Sequence, residues 1–191
     1  MTDVILLAAG KARRFGKQKL LEPFRGKPLY RYAFDAAAAL QNVQVTVVTR
    51  RGLLDTAAAE YGFACVLVPE NQGVGISVAA GTKAAREGAG LCFCVCDQPG
   101  ISGALLRDFL EGFAASGKPL GRCAAGTQYG SPTAFAPVFR TALLALTADE
   151  GGKALFDGRE ADTYYHEVPE EALRDFDTPW TEEEEMRKRG I

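Results

Sequence analysis

The stretch L-A-A-G-K-A-R-R-F-G-K-Q-K-L-L, from Leu7 to Leu21, decides how this chain is read. It follows an apolar run, Val4 to Leu7, that reads as a buried first strand. The strand empties into a turn with two glycines, Gly10 and Gly16, and five cations: Lys11, Arg13, Arg14, Lys17 and Lys19. Backbone N–H groups and positive charge converging on one spot are what a bound polyphosphate requires. A solvated basic loop is the plainer reading of the same residues. The spacing excludes two familiar phosphate loops. A P-loop has four residues between its glycines and then Lys-Ser/Thr. Here five separate Gly10 from Gly16, and Gln18 stands where the metal-binding hydroxyl belongs. Lys11-Ala12 likewise breaks the Gly-x-Gly-x-x-Gly dinucleotide fingerprint.

Outward from this turn, apolar runs alternate with helical stretches, the pattern of a three-layer α/β fold with a mainly parallel sheet. Strands are expected at 3–8, 43–49, 64–68, 91–96, 121–125, 131–136 and 163–168. Helices are expected at 29–40, 53–61, 76–87, 103–116, 138–146, 152–156 and 179–189. No repeat or linker interrupts the 191 residues, so a single domain, 1–191, is expected. Composition is ordinary for a globular protein, and 22 basic against 24 acidic residues argue against a general nucleic-acid binder. No apolar run reaches the ~18 residues of a membrane span, and the first residues lack a leader's pattern. A cytoplasmic location is expected. The five cysteines read as free thiols. Cys92, Cys94 and Cys96 alternate along one strand, neighbours on that face standing roughly 6.6–7 Å apart, so that one zinc ion could gather all three sulfurs only by kinking the strand. They read as small core residues.

In an open α/β sheet, ligands gather outside the carboxyl ends of the strands. The basic loop lies at one such end, and Asp97, in C-V-C-D-Q-P-G, lies at another. A carboxylate there can hold Mg²⁺ against phosphate oxygens. Capping the next helix is its alternative role, but Ser102 is better placed for that. Asp177, in D-F-D-T-P, reads equally as a second metal ligand or as a neighbour of a helix cap. In E-N-Q-G-V-G-I-S, Asn71 and Ser77 can donate to a base or ribose, and Gly73 and Gly75 let backbone approach a ligand. A plain helix start is the competing account. Gly75 to Ala79 comes near a hydrolase nucleophile elbow. Yet His166, the one histidine, sits in a strand-like run, which argues against an esterase. Tyr129-Gly130-Ser131-Pro132 opens a strand, and Gly151-Gly152-Lys153 opens a helix, with room for ligand or merely a cap at Asp149. Lys27 reads as flanking a turn. The charged segment 182–189 reads as a solvated terminal helix supported by i,i+4 pairs.

Taken in order, the loop, P-F-R-G-K-P-L, N-Q-G-V-G-I-S, C-D-Q-P, G-S-P-T-A-F, D-E-G-G-K-A-L-F and D-F-D-T-P cover nearly the whole chain. Together they resemble the MobA-like nucleotidyltransferases, most closely the molybdenum cofactor cytidylyltransferase branch. The resemblance implies a Rossmann-like nucleotidyltransferase fold. It implies transfer of CMP from CTP to the terminal phosphate of molybdopterin, with release of pyrophosphate and, downstream, a recipient molybdoenzyme. Arg14, Lys19 and Asp97 would then be catalytic. Leu7, Ala8, Ala9, Gly10, Phe15 and Gly16 would hold nucleotide with Arg14 and Lys19, and Asn71, Gly75 and Ser77 would complete that site. Gln98, Gly130, Ser131, Pro132 and Lys153 would face the acceptor. Asp97 and Asp177 would hold Mg²⁺ or Mn²⁺. Ala9, in L-A-A-G rather than L-A-G-G, favours CTP over GTP. The chain departs from the family at G-I-S-V-A-A, where G-M-S-x-S-L is common. The alternatives are a GTP user, a transferase for another phosphorylated acceptor, and a non-catalytic cofactor carrier.

Overall fold

The computed structural model describes residues 1–10, 15–70, 72–148 and 150–176. Its main sheet has seven strands. In chain order these are β1 (Thr2–Leu7), β4 (Val45–Thr49), β5 (Ala64–Leu67), β6 (Gly90–Val95), β7 (Leu120–Ala125), β8 (Gln128–Phe135) and β9 (Thr163–Glu167). A small hairpin, β2 (Pro23–Phe24) and β3 (Lys27–Pro28), stands apart. The helices are α1 (Tyr30–Ala38), α2 (Asp55–Glu60), α3 (Val74–Ala84), α4 (Gly103–Ser116) and α5 (Arg140–Leu144). Across the sheet the order is β5-β4-β1-β6-β8-β7-β9, and β8 alone runs against the rest. This is the expected three-layer α/β architecture with a mainly parallel sheet. Among the described residues no helix is long and apolar enough to cross a membrane.

Alternation along each strand sorts side chains between the two outer layers. Val4 and Leu6 of β1, Val47 of β4, and Cys92 and Cys94 of β6 meet Phe34 of α1 and Phe109 of α4 on one face. Ile5, Val48, Leu91 and Phe93 meet Val78 of α3 and Leu143 of α5 on the other. Covered on both faces, these strands need the continuous apolar runs that the sequence carries. Helix α4 has the punctuation that its sequence promises. The Ser102 hydroxyl accepts from the Leu105 N–H at 3.2 Å, and Gly117 ends the helix in the left-handed conformation, φ +64°.

Several expected bounds move. Pro23 to Pro28 forms a hairpin because Arg25 and Gly26 both adopt positive φ (49° and 87°), so the turn folds the chain back on itself. Lys27, expected merely to flank a turn, lies in β3, pairs with Asp35 and stacks 4.1 Å from the Tyr32 ring centre. The helix expected at 138–146 divides into a 3-10 turn, Pro137–Phe139, and α5. The one expected at 152–156 is a 3-10 turn, consistent with its two poor helix formers. Strand β8 starts at Gln128, three residues early, and the 76–87 helix starts at Val74. The terminal helix expected at 179–189 lies outside the described residues.

Cys92, Cys94, Cys96 and Cys123 are buried, with the sulfurs of Cys92 and Cys94 4.0 Å apart. They are free thiols, as expected, and the described residues contain no group of three or more His, Cys, Asp or Glu placed to share a metal ion. Burial pushes the Cys92 and Cys96 thiols far up and that of Cys123 up to about 12. Cys65, on edge strand β5, is exposed. A thiol-specific reagent at pH 8 should therefore label one cysteine in the native protein, Cys65, and all five after denaturation, counted by mass.

The start of α3 is wedged against the turn that follows α5. A Cβ on Gly75 would lie 1.8 Å from the Thr147 carbonyl oxygen, and one on Gly73 would lie 1.7 Å from that of Ala148. Thr147 ties this turn together by donating its hydroxyl to Glu150 at 2.9 Å. Gly75→Ala must push main chain aside, at a cost of about 1–3 kcal/mol. Thermal unfolding should register this as a Tm several degrees lower.

Candidate active site

The carboxyl ends of β1, β4 and β6 are held side by side. The Cys96 N–H donates to the Leu7 carbonyl (3.3 Å) and the Ala8 N–H to that of Val48 (2.9 Å). Three segments therefore leave the sheet together: Ala8–Gly10, Thr49–Arg50 and Cys96–Gln98. Phe15 is buried, and Gly16 takes the left-handed conformation, φ +74°, which favours glycine. The chain then enters the 3-10 turn Lys19–Leu21, where the Gln18 side chain accepts from the Leu20 N–H.

Here the basic loop meets the acidic strand end. Lys19 Nζ lies 2.7 Å from Asp97 Oδ2, with side-chain exposures of 10% and 20%. A cation from one end of the sequence motif and a carboxylate 78 positions later thus share a sheltered, still accessible spot. Beside it, Cys96 is held protonated by burial and, secondarily, by the Asp97 charge. Gly10 is exposed, and its carbonyl is approached at 3.4 Å by Gln18 Nε2 and by Arg50 Nη2.

Arg50 is a site residue that the sequence reading missed. Its side chain is 14% exposed, pairs with Glu70 at 2.8 Å and buries Nε without an acceptor among the described residues. The available signal was its position, a cation directly after the apolar run V-T-V-V-T, at the sheet edge where ligands gather.

Other expected site residues are placed differently. Gln98 is buried and donates its Nε2 to the Leu173 carbonyl at 3.0 Å, fastening the segment 170–173 across the end of β6. Leu173 in turn covers Gly130, 3.1 Å from a Cβ built there. The Ser131 hydroxyl accepts from the Val95 N–H (3.1 Å) and lies 3.4 Å from the Phe93 carbonyl, so it continues the β6–β8 ladder where main-chain pairing stops. Pro132 is buried beside it. Gly73 and Gly75 do not open space for a ligand, because the main chain of Thr147 and Ala148 fills it. Ser77 lies buried in the first turn of α3, and Gly151 and Gly152 pack on Val74 and Phe135. Lys153 is exposed. Arg14, Asn71 and Asp177 lie outside the described residues, and Phe176, the last before Asp177, packs on Phe24 with ring centres 4.7 Å apart.

The donor set suits a hard divalent cation. Asp97 supplies a carboxylate oxygen now held by an ammonium group rather than by the core, and Mg²⁺ uses one or two protein carboxylates with substrate phosphates.

Solved structures share this fold. Rv0371c from Mycobacterium tuberculosis H37Rv gives a TM-score of 0.80 at 22% identity, covering 100% of this chain and 98% of its own. A structure of that protein in complex with manganese gives 0.72 at 21%, covering 97% and 96%. A nucleotidyl transferase from Methanothermobacter thermautotrophicus gives 0.76 at 20% (100% and 96%). CMP:2-keto-3-deoxy-manno-octonic acid synthetase complexed with CTP gives 0.73 at 13% (100% and 99%). These likenesses establish the fold. No curated protein matches the sequence. Residues 4–168 match the MobA-like NTP transferase domain, with the basic loop at its start and Asp97 within it, and the chain belongs to that family.

Proposed function

We propose that this protein is a nucleotidyltransferase that moves CMP from CTP to the terminal phosphate of molybdopterin and releases pyrophosphate. The Lys19–Asp97 contact carries the reading, because it joins a phosphate-seeking cation to a metal-seeking carboxylate at the end of a buried sheet. The family supports nucleotide transfer, and a CTP-bound and a manganese-bound relative support the choice of nucleotide and a divalent ion. Molybdopterin and the preference for CTP rest on the motif resemblance, with Ala9 the residue that favours cytosine.

Asp97 would hold Mg²⁺ or Mn²⁺, joined by Asp177. When bound, the ion supplies neutralisation of charge on the α-phosphate oxygens. Lys19, released from Asp97, and Arg14 hold the β- and γ-phosphates, while the amides of Ala9 and Gly10 face the same charge. An oxygen of the acceptor phosphate attacks the α-phosphorus in line. A new P–O bond forms as the bond to the β-phosphate bridging oxygen breaks, and pyrophosphate leaves with that electron pair. The attacking phosphate is already ionised near neutral pH, so the reaction needs no general base. Positioning and charge stabilisation suffice, as in phosphoryl transfer generally. Gln98, Gly130, Ser131 and Pro132 then shape the acceptor side chiefly by fixing backbone, since the Ser131 hydroxyl and the Gln98 Nε2 already serve the fold.

The deciding assay is pyrophosphate release with Mg²⁺, molybdenum-loaded molybdopterin and either CTP or GTP. Release with CTP alone is expected. Release with GTP alone overturns the reading of Ala9, and silence with both nucleotides overturns the acceptor. Asp97→Ala should cut turnover by about 10²–10³-fold or more while leaving thermal unfolding nearly unchanged. Calorimetry should show weaker Mn²⁺ binding in the same variant, and unaltered Mn²⁺ binding would remove Asp97 from the metal site.

A further inference from the structure

Arg122 stands in the middle of β7, level with Thr133 of β8 and Tyr165 of β9. Its guanidinium carbon lies 3.7 Å from the ring centre of Tyr129, 4.9 Å from that of Phe156 and 5.2 Å from that of Tyr165. Three rings thus surround one cation. No carboxylate pairs with it among the described residues, although Glu167 follows Tyr165 on the same face of β9. Among the described residues its one hydrogen bond is a long contact, Nη2 to Tyr165 Oη at 3.4 Å, and the buried Nε has no acceptor. Most of the donors of a permanently charged group are therefore unspent.

The box is open on one side. Tyr129 is 50% exposed, whereas Phe156 is buried as the floor. Lys153 is exposed one 3-10 turn before Phe156, on the same edge of that turn, because residues three apart in such a helix eclipse one another. A half-exposed ring, a guanidinium fork and a second cation suit one kind of guest. That guest is flat enough to stack and carries negative charge for the fork.

The position relates the box to the transfer centre. Phe93 is level with Thr133 and hence with Arg122, and Asp97 lies four residues beyond Phe93 and two strands across. At strand spacings this separates Arg122 from Asp97 by roughly 15 Å. The box is too far away to hold the reacting phosphate and well placed for the opposite end of an elongated substrate.

We propose that Arg122, Tyr129 and Tyr165 form a second ligand subsite that takes an aromatic ring bearing an anionic group. On the nucleotide-transfer reading above, this is the flat ring system at the far end of the acceptor, whose carbonyl and ring nitrogens accept from the fork in place of a charged group. Only that identification depends on the reading; the subsite itself does not.

Calorimetry with phenyl phosphate and with inorganic phosphate tests the subsite on the intact protein. Phenyl phosphate should bind the wild type more tightly than inorganic phosphate. Its affinity should fall about tenfold or more in Arg122→Gln and in Tyr129→Ala, and should persist in Lys19→Ala. A tenfold change is about 1.4 kcal/mol. Tyr129 is half exposed, so its variant keeps the test usable if Arg122→Gln folds poorly. Four results overturn the proposal: no saturable binding, equal affinity for the two probes, loss only in Lys19→Ala, or a lower Tm in Arg122→Gln with unchanged affinity. The last would make Arg122 a staple of the sheet edge. If the subsite binds phenyl phosphate but the protein binds neither CTP nor GTP, the subsite stands and nucleotide transfer falls.

Discussion

Everything in this structure depends on β1 being buried on both faces and paired on both edges. Val4, Ile5 and Leu6 have no exposed surface, and β4 and β6 flank the strand in parallel. Its one charge, Asp3 near the amino end, is paired with Arg86, and from Val4 to Leu7 the strand carries none. The first polar groups after it must come where the backbone escapes the sheet, beyond Leu7. The same constraint acts on β4, which ends in Thr49–Arg50, and on β6, which ends in Cys96–Asp97. Strands β4 and β6 therefore deliver their first charged residues, Arg50 and Asp97, to the edge where β1 also ends. The charged corner follows from burial before any catalytic requirement is considered.

At that edge the molecule holds opposite charges in check. Lys19 is paired with Asp97, and Arg50 with Glu70, while both Gln18 and Arg50 reach the Gly10 carbonyl. The other side of the edge is covered by the segment 170–173. Gln98 fastens it to β6, Leu173 seats it on Gly130, and Phe176 joins it to the hairpin through Phe24. Gly100 permits this crossing, since a Cβ there would lie 2.6 Å from the Ala172 Cα and the Glu171 oxygen. The late segment of the chain thus braces the mouth formed by the early ones.

The layering was legible because fully buried strands are written as unbroken apolar runs. Asp97 was legible for a related reason, being a charge set directly after such a run. The turn beside Lys27 was legible from Gly26, but the hairpin around it was not, since two-residue strands carry no periodicity. The glycines at 73 and 75 were recognised as sites of close approach, but sequence alone cannot tell a ligand from the chain's own Thr147–Ala148 backbone. Ser131 was likewise read as a polar group facing a ligand, whereas its hydroxyl repairs a gap in the ladder. Arg50 and Arg122 escaped because a single cation makes no pattern, and the rings around Arg122 come from three separate segments. Arg14, Asn71 and Asp177 have no described position to set beside their sequence reading.

The pairing of Thr2 with Gly90 also has a temporal side. Strand β1 leaves the ribosome before the other strands of its sheet, and one of its two edges has no partner until β6 has been made. At the usual pace of synthesis, about 5–20 residues per second, that edge waits several seconds or more. During that interval Val4 to Leu7 is an unpaired apolar strand of the kind that seeks other chains. The helix and strand that arrive first, α1 and β4, cover one face and one edge. The nascent chain is therefore most open to misassociation before Gly90–Val95 emerges, and a chaperone would act with greatest effect in that window.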